Sequence, residues 1–172
     1  MKLKSIFICL SLVAAIAVAN AQENVSVLLE KASVQATKEN KKVFVMFHAS
    51  WCKWCKKMDD NMTSDACRKY FTDNYVMVHV DVKESPKNKD LENPGGEALL
   101  KKYKGEQAGL PFWVILDAKG TVQTDSFNSK GENLGCPGSP EEVTEFITKL
   151  KKTSKLTDKQ LTVIRETFTI KK

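Results

Sequence analysis

The chain lacks what several protein classes require. Beyond residue 21 there is no apolar run of the roughly 20 residues that a membrane-spanning helix needs, so no stable membrane insertion is expected. Only four cysteines follow that point, Cys52, Cys55, Cys67 and Cys136. That is too few for a fold built on disulfides. A second Cys-x-x-Cys is missing, and His48 and His79 stand singly. The four-ligand set of a structural zinc site is therefore not present, and neither a metal nor another cofactor is expected. Basic stretches interleaved with aromatic residues are also missing, which argues against nucleic acid as a partner. The formal charge of +6 is spread along the chain, with one lysine cluster at Lys149, Lys151, Lys152 and Lys155 that reads as a solvated helix face. There is no internal repeat and no low-complexity segment.

The first residues read as a targeting signal. Lys2 and Lys4 are followed by an almost wholly apolar stretch from 6 to 18, and Ala19-Asn20-Ala21 matches a small-x-small cleavage site. Residues 1–21 are accordingly read as a signal peptide and left out of the fold. Cys9 follows Ile8, whereas a lipid-anchored start would want a small residue there. The expected product is an exported chain, periplasmic or secreted. Residues 22–172 have the length and apolar content of one ordinary domain, expected to be a monomer.

What stands out is Trp51-Cys52-Lys53-Trp54-Cys55. It follows an apolar run, 43–47, that reads as a buried strand, and it opens a segment that can be helical towards Asn61. A thiol at a helix N-terminus meets unpaired backbone N–H groups and the positive end of the helix dipole, both of which favour the nucleophilic thiolate. Two intervening residues let the second sulfur reach the first within one turn, so the pair can cycle between dithiol and disulfide.

Around this centre the pattern is regular. Asn24 caps a first helix with Val25, Leu28, Leu29, Ala32 and Ala36 on one face. Ser64 reads as a second cap, with Cys67, Tyr70 and Phe71 sharing a face. A strand over 75–82 precedes a long polar loop, 83–96. A short helix with Leu99, Leu100 and Tyr103 inward stops at Gly105, and 112–116 is a third strand. Asp117-Ala118-Lys119-Gly120 turns into a fourth strand, 121–127. After a loop over 128–138, Ser139-Pro140 with Glu142 starts a helix bearing Val143, Phe146, Ile147 and Leu150. Thr157 and Gln160 repeat the capping box for a last helix, with Leu161, Ile164 and Phe168 on one face. The two late strands must be antiparallel, and the strands joined through helices are expected to be parallel. Cys67 reads as core. Cys136 is open between a third active thiol, a structural partner of Cys67, and no role.

These residues resemble the thioredoxin superfamily. The marks are Trp51-Cys52-x-x-Cys55 after a buried strand, Leu110-Pro111 before a later strand, the tight turn at Gly120, and the helix after Gly135. The likeness covers about 41–150 and is greatest to exported proteins with a Trp-Cys-x-Trp-Cys centre. It implies an α/β, thioredoxin-like fold: a central mixed sheet of four to five strands flanked by helices, with an added C-terminal helix at about 157–168. It implies that Cys52 is the exposed attacking thiolate and Cys55 the more buried resolving thiol. Pro111 would hold a cis bond and leave the Leu110 backbone free to pair with a substrate strand. Trp51 would flank the site, and Gly135 and Cys136 would border the substrate groove. Many relatives carry a buried carboxylate six residues before the first cysteine; here Met46 stands there. His48, two residues on and facing the same way, is either a packed histidine or the proton acceptor for Cys55. Lys53 would favour the thiolate and make the disulfide more oxidising, and Trp54 adds an aromatic surface.

The reading is a secreted or periplasmic thiol–disulfide oxidoreductase that reduces disulfide-containing protein substrates through Cys52 and Cys55, fed by a membrane-bound electron donor. Oxidation or isomerisation of secreted proteins is the alternative in direction. A thioredoxin-fold binding module without turnover, docking through the 83–96 loop and the tryptophans, is the alternative in kind.

Overall fold

A computed structural model describes residues 22–170; the signal-peptide reading of 1–21 lies outside them. The elements follow in the order α1 (Val25–Glu39), β1 (Lys42–His48), α2 (Lys53–Thr63), α3 (Arg68–Asn74), β2 (Tyr75–Asp81), α4 (Gly96–Lys102), β3 (Phe112–Leu116), β4 (Val122–Asp125), α5 (Pro140–Thr153) and α6 (Asp158–Phe168). No helix of the described residues is long and apolar enough to cross a membrane.

The four strands form one sheet in the order β2-β1-β3-β4. β1 pairs parallel with β2 from Lys42 opposite Tyr75 to His48 opposite Asp81. It pairs antiparallel with β3, Phe47 opposite Phe112, and β3 pairs antiparallel with β4. One expectation is therefore corrected. Helix-joined strands are parallel for β1 and β2, but β3 runs the other way although α4 precedes it. The short α4 and the stretch 103–111 bring the chain to the far side of β1 at its C-terminal end, so β3 can only run back.

β1 is buried on both faces, which is why it reads as an unbroken apolar run. Strand alternation sends Phe44 and Met46 to one side and Val43, Val45 and Phe47 to the other. The first side packs with Met58, Phe71, Trp113, Phe146 and Phe168, under α2, α3, α5 and α6. The second packs with Ala32, Ala36, Val78, Val80, Leu100 and Val114, under α1 and α4. The added helix α6 thus belongs to the core. Both predicted capping boxes, at Ser139 and Thr157, are formed, and Phe168 lies 5.1 Å from Phe146 and 6.3 Å from Phe71, ring centre to ring centre.

Three local expectations change. Ser64 is not an N-cap: its hydroxyl donates back to the Asn61 carbonyl at 2.8 Å, closing α2. α3 instead begins after Cys67. The left-handed residue at the end of α4 is Lys104, with φ 64°. Gly105 is needed for space, since a Cβ there would sit 2.6 Å from Leu100 and 2.7 Å from Phe112. β4 is shorter than predicted because the Asp125 carboxylate accepts from the Phe127 N–H at 3.0 Å and bends the chain out of the ladder.

Candidate active site

β1 delivers His48, and the chain turns through Ala49, Ser50 and Trp51 into α2. Cys52 is the N-cap of that helix, with extended backbone at φ −82°, ψ 97°. Its Sγ accepts the Cys55 N–H at 3.1 Å. The sulfur therefore fills the position where a side-chain acceptor satisfies one of the orphan donors of a helix N-terminus. A negative charge developing on it is favoured by the same N–H groups and by the dipole. Cys52 and Cys55 are joined in a disulfide, their Cα atoms 5.3 Å apart.

In this oxidised form Cys52 is buried, 6% exposed against 2% for Cys55. The resemblance implied an exposed Cys52, and that is corrected. The order between the two sulfurs is as expected, but Leu110 packs over Ala49, Cys52 and Cys55 and covers both. The Leu110–Pro111 peptide bond is cis. Among the described residues, no backbone hydrogen bond outside the regular elements engages Leu110.

Trp51 and Trp54 are both more than half exposed and flank the disulfide. The Trp51 indole N–H donates to the Lys83 carbonyl at 2.9 Å. Trp54 lines a cleft of about 360 Å³ with Leu110, Gly135, Cys136, Glu142 and Ile170. Lys53 is exposed at the first position of α2. Gly135, at φ 55°, presents its carbonyl to the buried Trp113 indole N–H at 2.9 Å. Trp54, Leu110, Gly135 and Cys136 thus come together around one cleft, while Cys52 and Cys55 line another and meet this group through Leu110.

The two other cysteines are free. Cys67 is fully buried, as read from its helical face, and its thiol donates to the Thr167 hydroxyl at 3.3 Å under α6. Cys136 is half-buried. Burial pushes its thiol up to about 11, with Lys57 opposing weakly. It is a neutral thiol at physiological pH, and the alternative of a Cys67–Cys136 disulfide is not realised, because α6 and Thr167 enclose Cys67.

His48 lies behind the disulfide and is three-quarters covered. With Cys52, Cys55, Asp59, Asp60 and His79 it lines a second cleft of about 490 Å³. Its Nε2 is buried without a hydrogen bond, 3.4 Å from Asp81 Oδ1. Desolvation holds the imidazole below its ordinary value of 6.5, against the pull of Asp81.

Several residues of this region escape sequence reading. Glu84 is buried and accepts from both the backbone N–H and the hydroxyl of Ser50, the latter at 2.8 Å. Burial acts to raise its carboxyl, but the hydrogen bonds from Ser50 and the Ser85 backbone outweigh it and hold it below its ordinary value. Lys83, with φ 54°, donates from Nζ to the Glu106 and Ala108 carbonyls, both at 2.9 Å. Asn133 donates to the Gly109 carbonyl at 2.8 Å and the Pro111 carbonyl at 3.1 Å, tying the proline loop to the Gly135 loop. The loop over 83–96 contains a 3₁₀ turn, Pro86–Leu91, and is anchored through the buried Asn93, whose side chain accepts from the Asp81 N–H at 2.8 Å. Nothing local in the sequence marks Glu84 or Asn133. His79 and Asp81, by contrast, were findable. Alternation in β2 puts Val76, Val78 and Val80 on one face and His79 and Asp81 on the other, the face of Met46 and His48. Among the described residues, no group of three or more His, Cys, Asp or Glu side chains is arranged to hold a metal ion.

A mixed sheet with a Cys-x-x-Cys disulfide capping the helix after its central strand is the arrangement of the thioredoxin fold. The comparisons agree: a family model described as thioredoxin-like matches residues 19–118, more than half of the sequence, and the chain belongs to that family. A curated relative, disulfide bond reductase DsbH of Chlamydia pneumoniae, is 31% identical over 91 residues, 51% of this chain and 54% of the relative. The chain thus spans about half the length of that protein. Among solved structures, a disulphide isomerase from Xylella fastidiosa superposes with a TM-score of 0.51 at 20% identity, over 88% of this chain and 91% of that one. A DsbH oxidoreductase gives 0.47 at 25%, over 83% and 92%.

Proposed function

We propose that the protein is an exported thiol–disulfide oxidoreductase that reduces disulfides in secreted or periplasmic proteins. The observation that carries this reading is the Cys52 sulfur at the N-cap of α2, accepting the Cys55 N–H at 3.1 Å. A sulfur so placed is stabilised as a thiolate, and a stabilised thiolate is both the attacking and the good leaving group of thiol–disulfide exchange. In the reducing direction, the Cys52 thiolate attacks a substrate disulfide and expels one substrate thiolate. Cys55 then attacks Cys52, the Cys52–substrate bond breaks, and the second substrate thiolate leaves. Two electrons pass to the substrate and the Cys52–Cys55 disulfide remains, to be reopened by a membrane-bound dithiol donor.

The remaining residues have roles that follow from their places. Leu110 offers a backbone N–H and C=O to an extended substrate segment beside the sulfurs, with Pro111 shaping that approach. Trp51 and Trp54 supply apolar walls, and Gly135 and Cys136 border the groove. The aliphatic Leu110 and the name of the chlamydial relative, a disulfide bond reductase, both favour reduction. Lys53, one residue after Cys52, favours the thiolate and thereby supports the second reading, oxidation or isomerisation of the same substrates. The domain of this activity is residues 22–172, acting as a monomer after removal of 1–21.

The test is the reduction potential of the Cys52/Cys55 pair, together with turnover of a model protein disulfide by the wild type and Cys52→Ser. A potential near the thioredoxin end of the range, about −270 mV, with turnover lost in Cys52→Ser, is the expected result. A potential near −120 mV would turn the direction to oxidation. A pair that never opens in strong reductant, with partners retained by Cys52→Ser, would leave a binding module.

A further inference from the structure

Closing or opening the Cys52–Cys55 bond releases or consumes a proton at Cys55, and Cys55 is 2% exposed. A buried thiolate without a proton partner is costly. Whatever serves it must line the cleft behind the disulfide. The titratable side chains there are His48, Lys56, Asp59, Asp60 and His79. Two of them form a connected pair. The His48 and His79 rings meet edge to face, 5.2 Å between centres. Each has its own carboxylate: Asp81 lies 3.4 Å from His48 Nε2, and Asp59 lies 2.9 Å from His79 Nε2.

The exposures are ordered. Side-chain exposure is 22% at His48 and 38% at His79, so His79 is the member of the pair nearer solvent. Asp59 lies one turn after Cys55 on α2, which places it over the same face. The groups facing His48 are Asp81 and His79 from β2, Asp59 from α2 and Glu84 from the loop beyond β2. Asp81, Asp59 and Glu84 favour a proton on His48, while burial and the neighbouring His79 oppose it and prevail.

We propose that His48 and His79, steadied by Asp81 and Asp59, form a proton relay that serves Cys55 and ends at the surface. The proposal rests on the oxidoreductase reading above. As Cys55 attacks the mixed disulfide, its thiol proton passes to the His48 imidazole, the Cys55–Cys52 bond forms, the Cys52–substrate bond breaks, and the substrate thiolate departs with the electron pair. His79 then exchanges the proton with solvent. In the reverse step the His48 imidazolium returns a proton to the departing Cys55 thiolate. His48 is suited to accept because desolvation holds it below its ordinary value and so neutral at pH 7.

Single-turnover kinetics separate the steps. Formation of the mixed disulfide reports Cys52, and its decay reports Cys55. In His48→Gln the decay is expected to slow by about 100-fold, the lower end of what a positioned acid–base group contributes, and to lose its dependence on pH between 5 and 8. His79→Gln is expected to slow it less. Decay rates and pH profiles equal to wild type in both variants would overturn the relay. A measurement on the wild type does not depend on the variants' folding: the His48 imidazole is expected to titrate at a different pH in the oxidised and reduced protein, and one shared midpoint would also overturn it. If the wild type forms no mixed disulfide at all, the oxidoreductase reading fails and the relay with it.

Discussion

Phe168 tests whether α6 is a working part of the core. Its side chain is 1% exposed, packed against Phe146 and Phe71, with Ile164 and Leu161 buried one and two turns before it. Truncating a buried Phe to Ala costs about 3–5 kcal/mol from lost transfer energy and the residual cavity. The two aromatic contacts push towards the upper end, about 0.5–1.5 kcal/mol for each pair beyond area. The helix end can collapse partly into the space, which pulls the other way. Phe168→Ala should therefore lose about 3–4 kcal/mol. At roughly 2–4 °C per kcal/mol for a chain of this size, that is a fall in Tm of about 10 °C. Urea unfolding of the oxidised protein measures it, with Lys159→Ala on the exposed side of α6 as a control that should stay within about 0.5 kcal/mol. A loss below about 1 kcal/mol for Phe168→Ala would refute the account, because α6 would then rest on the fold without closing its core.

Glu84→Gln should destabilise by about 2 kcal/mol at neutral pH, the worth of charge-assisted hydrogen bonds to a buried carboxylate. Since the Glu84 carboxyl lies below its ordinary 4.5 when folded, its contribution is complete above that pH and fades as pH falls through the folded value. The difference between variant and wild type in denaturant melts should narrow below pH 4.5 and not above it; a constant difference down to pH 2 would refute the assignment. With the disulfide closed, Cys136, at about 11, should react with iodoacetamide at pH 7.5 about 300-fold more slowly than a free thiol of pKa near 8.5. Mass spectrometry gives that rate, and labelling at the free-thiol rate would show a thiolate where burial forbids one.

Much of the site was legible because its marks are local. Cys52 and Cys55 sit three apart at a strand-to-helix junction, and helix start, apolar strand and spacing are all properties of neighbouring residues. Leu110-Pro111 was findable by its place before a strand. His48 followed from alternation in β1. What escaped is what is distant in sequence: Glu84 beneath Ser50, Asn133 bridging two loops, and Asp59 of α2 beside His79. Each contact joins elements whose approach is set by the packing of α2 and the loops on the sheet, and no local pattern encodes it. The burial of Cys52 escaped for the same reason, since Leu110, 58 positions on, covers it.

By itself the amino-acid sequence determined the elements and their caps, the inward faces of the helices, the redox pair and its helix-end environment, since all rest on neighbours within a turn or a strand. The tertiary structure decided which way β3 runs, that α6 completes the core, that both sulfurs of the disulfide are shielded, and which histidines and carboxylates gather behind Cys55. These depend on where remote segments meet, and that is set by the joint packing of two hydrophobic layers against one sheet.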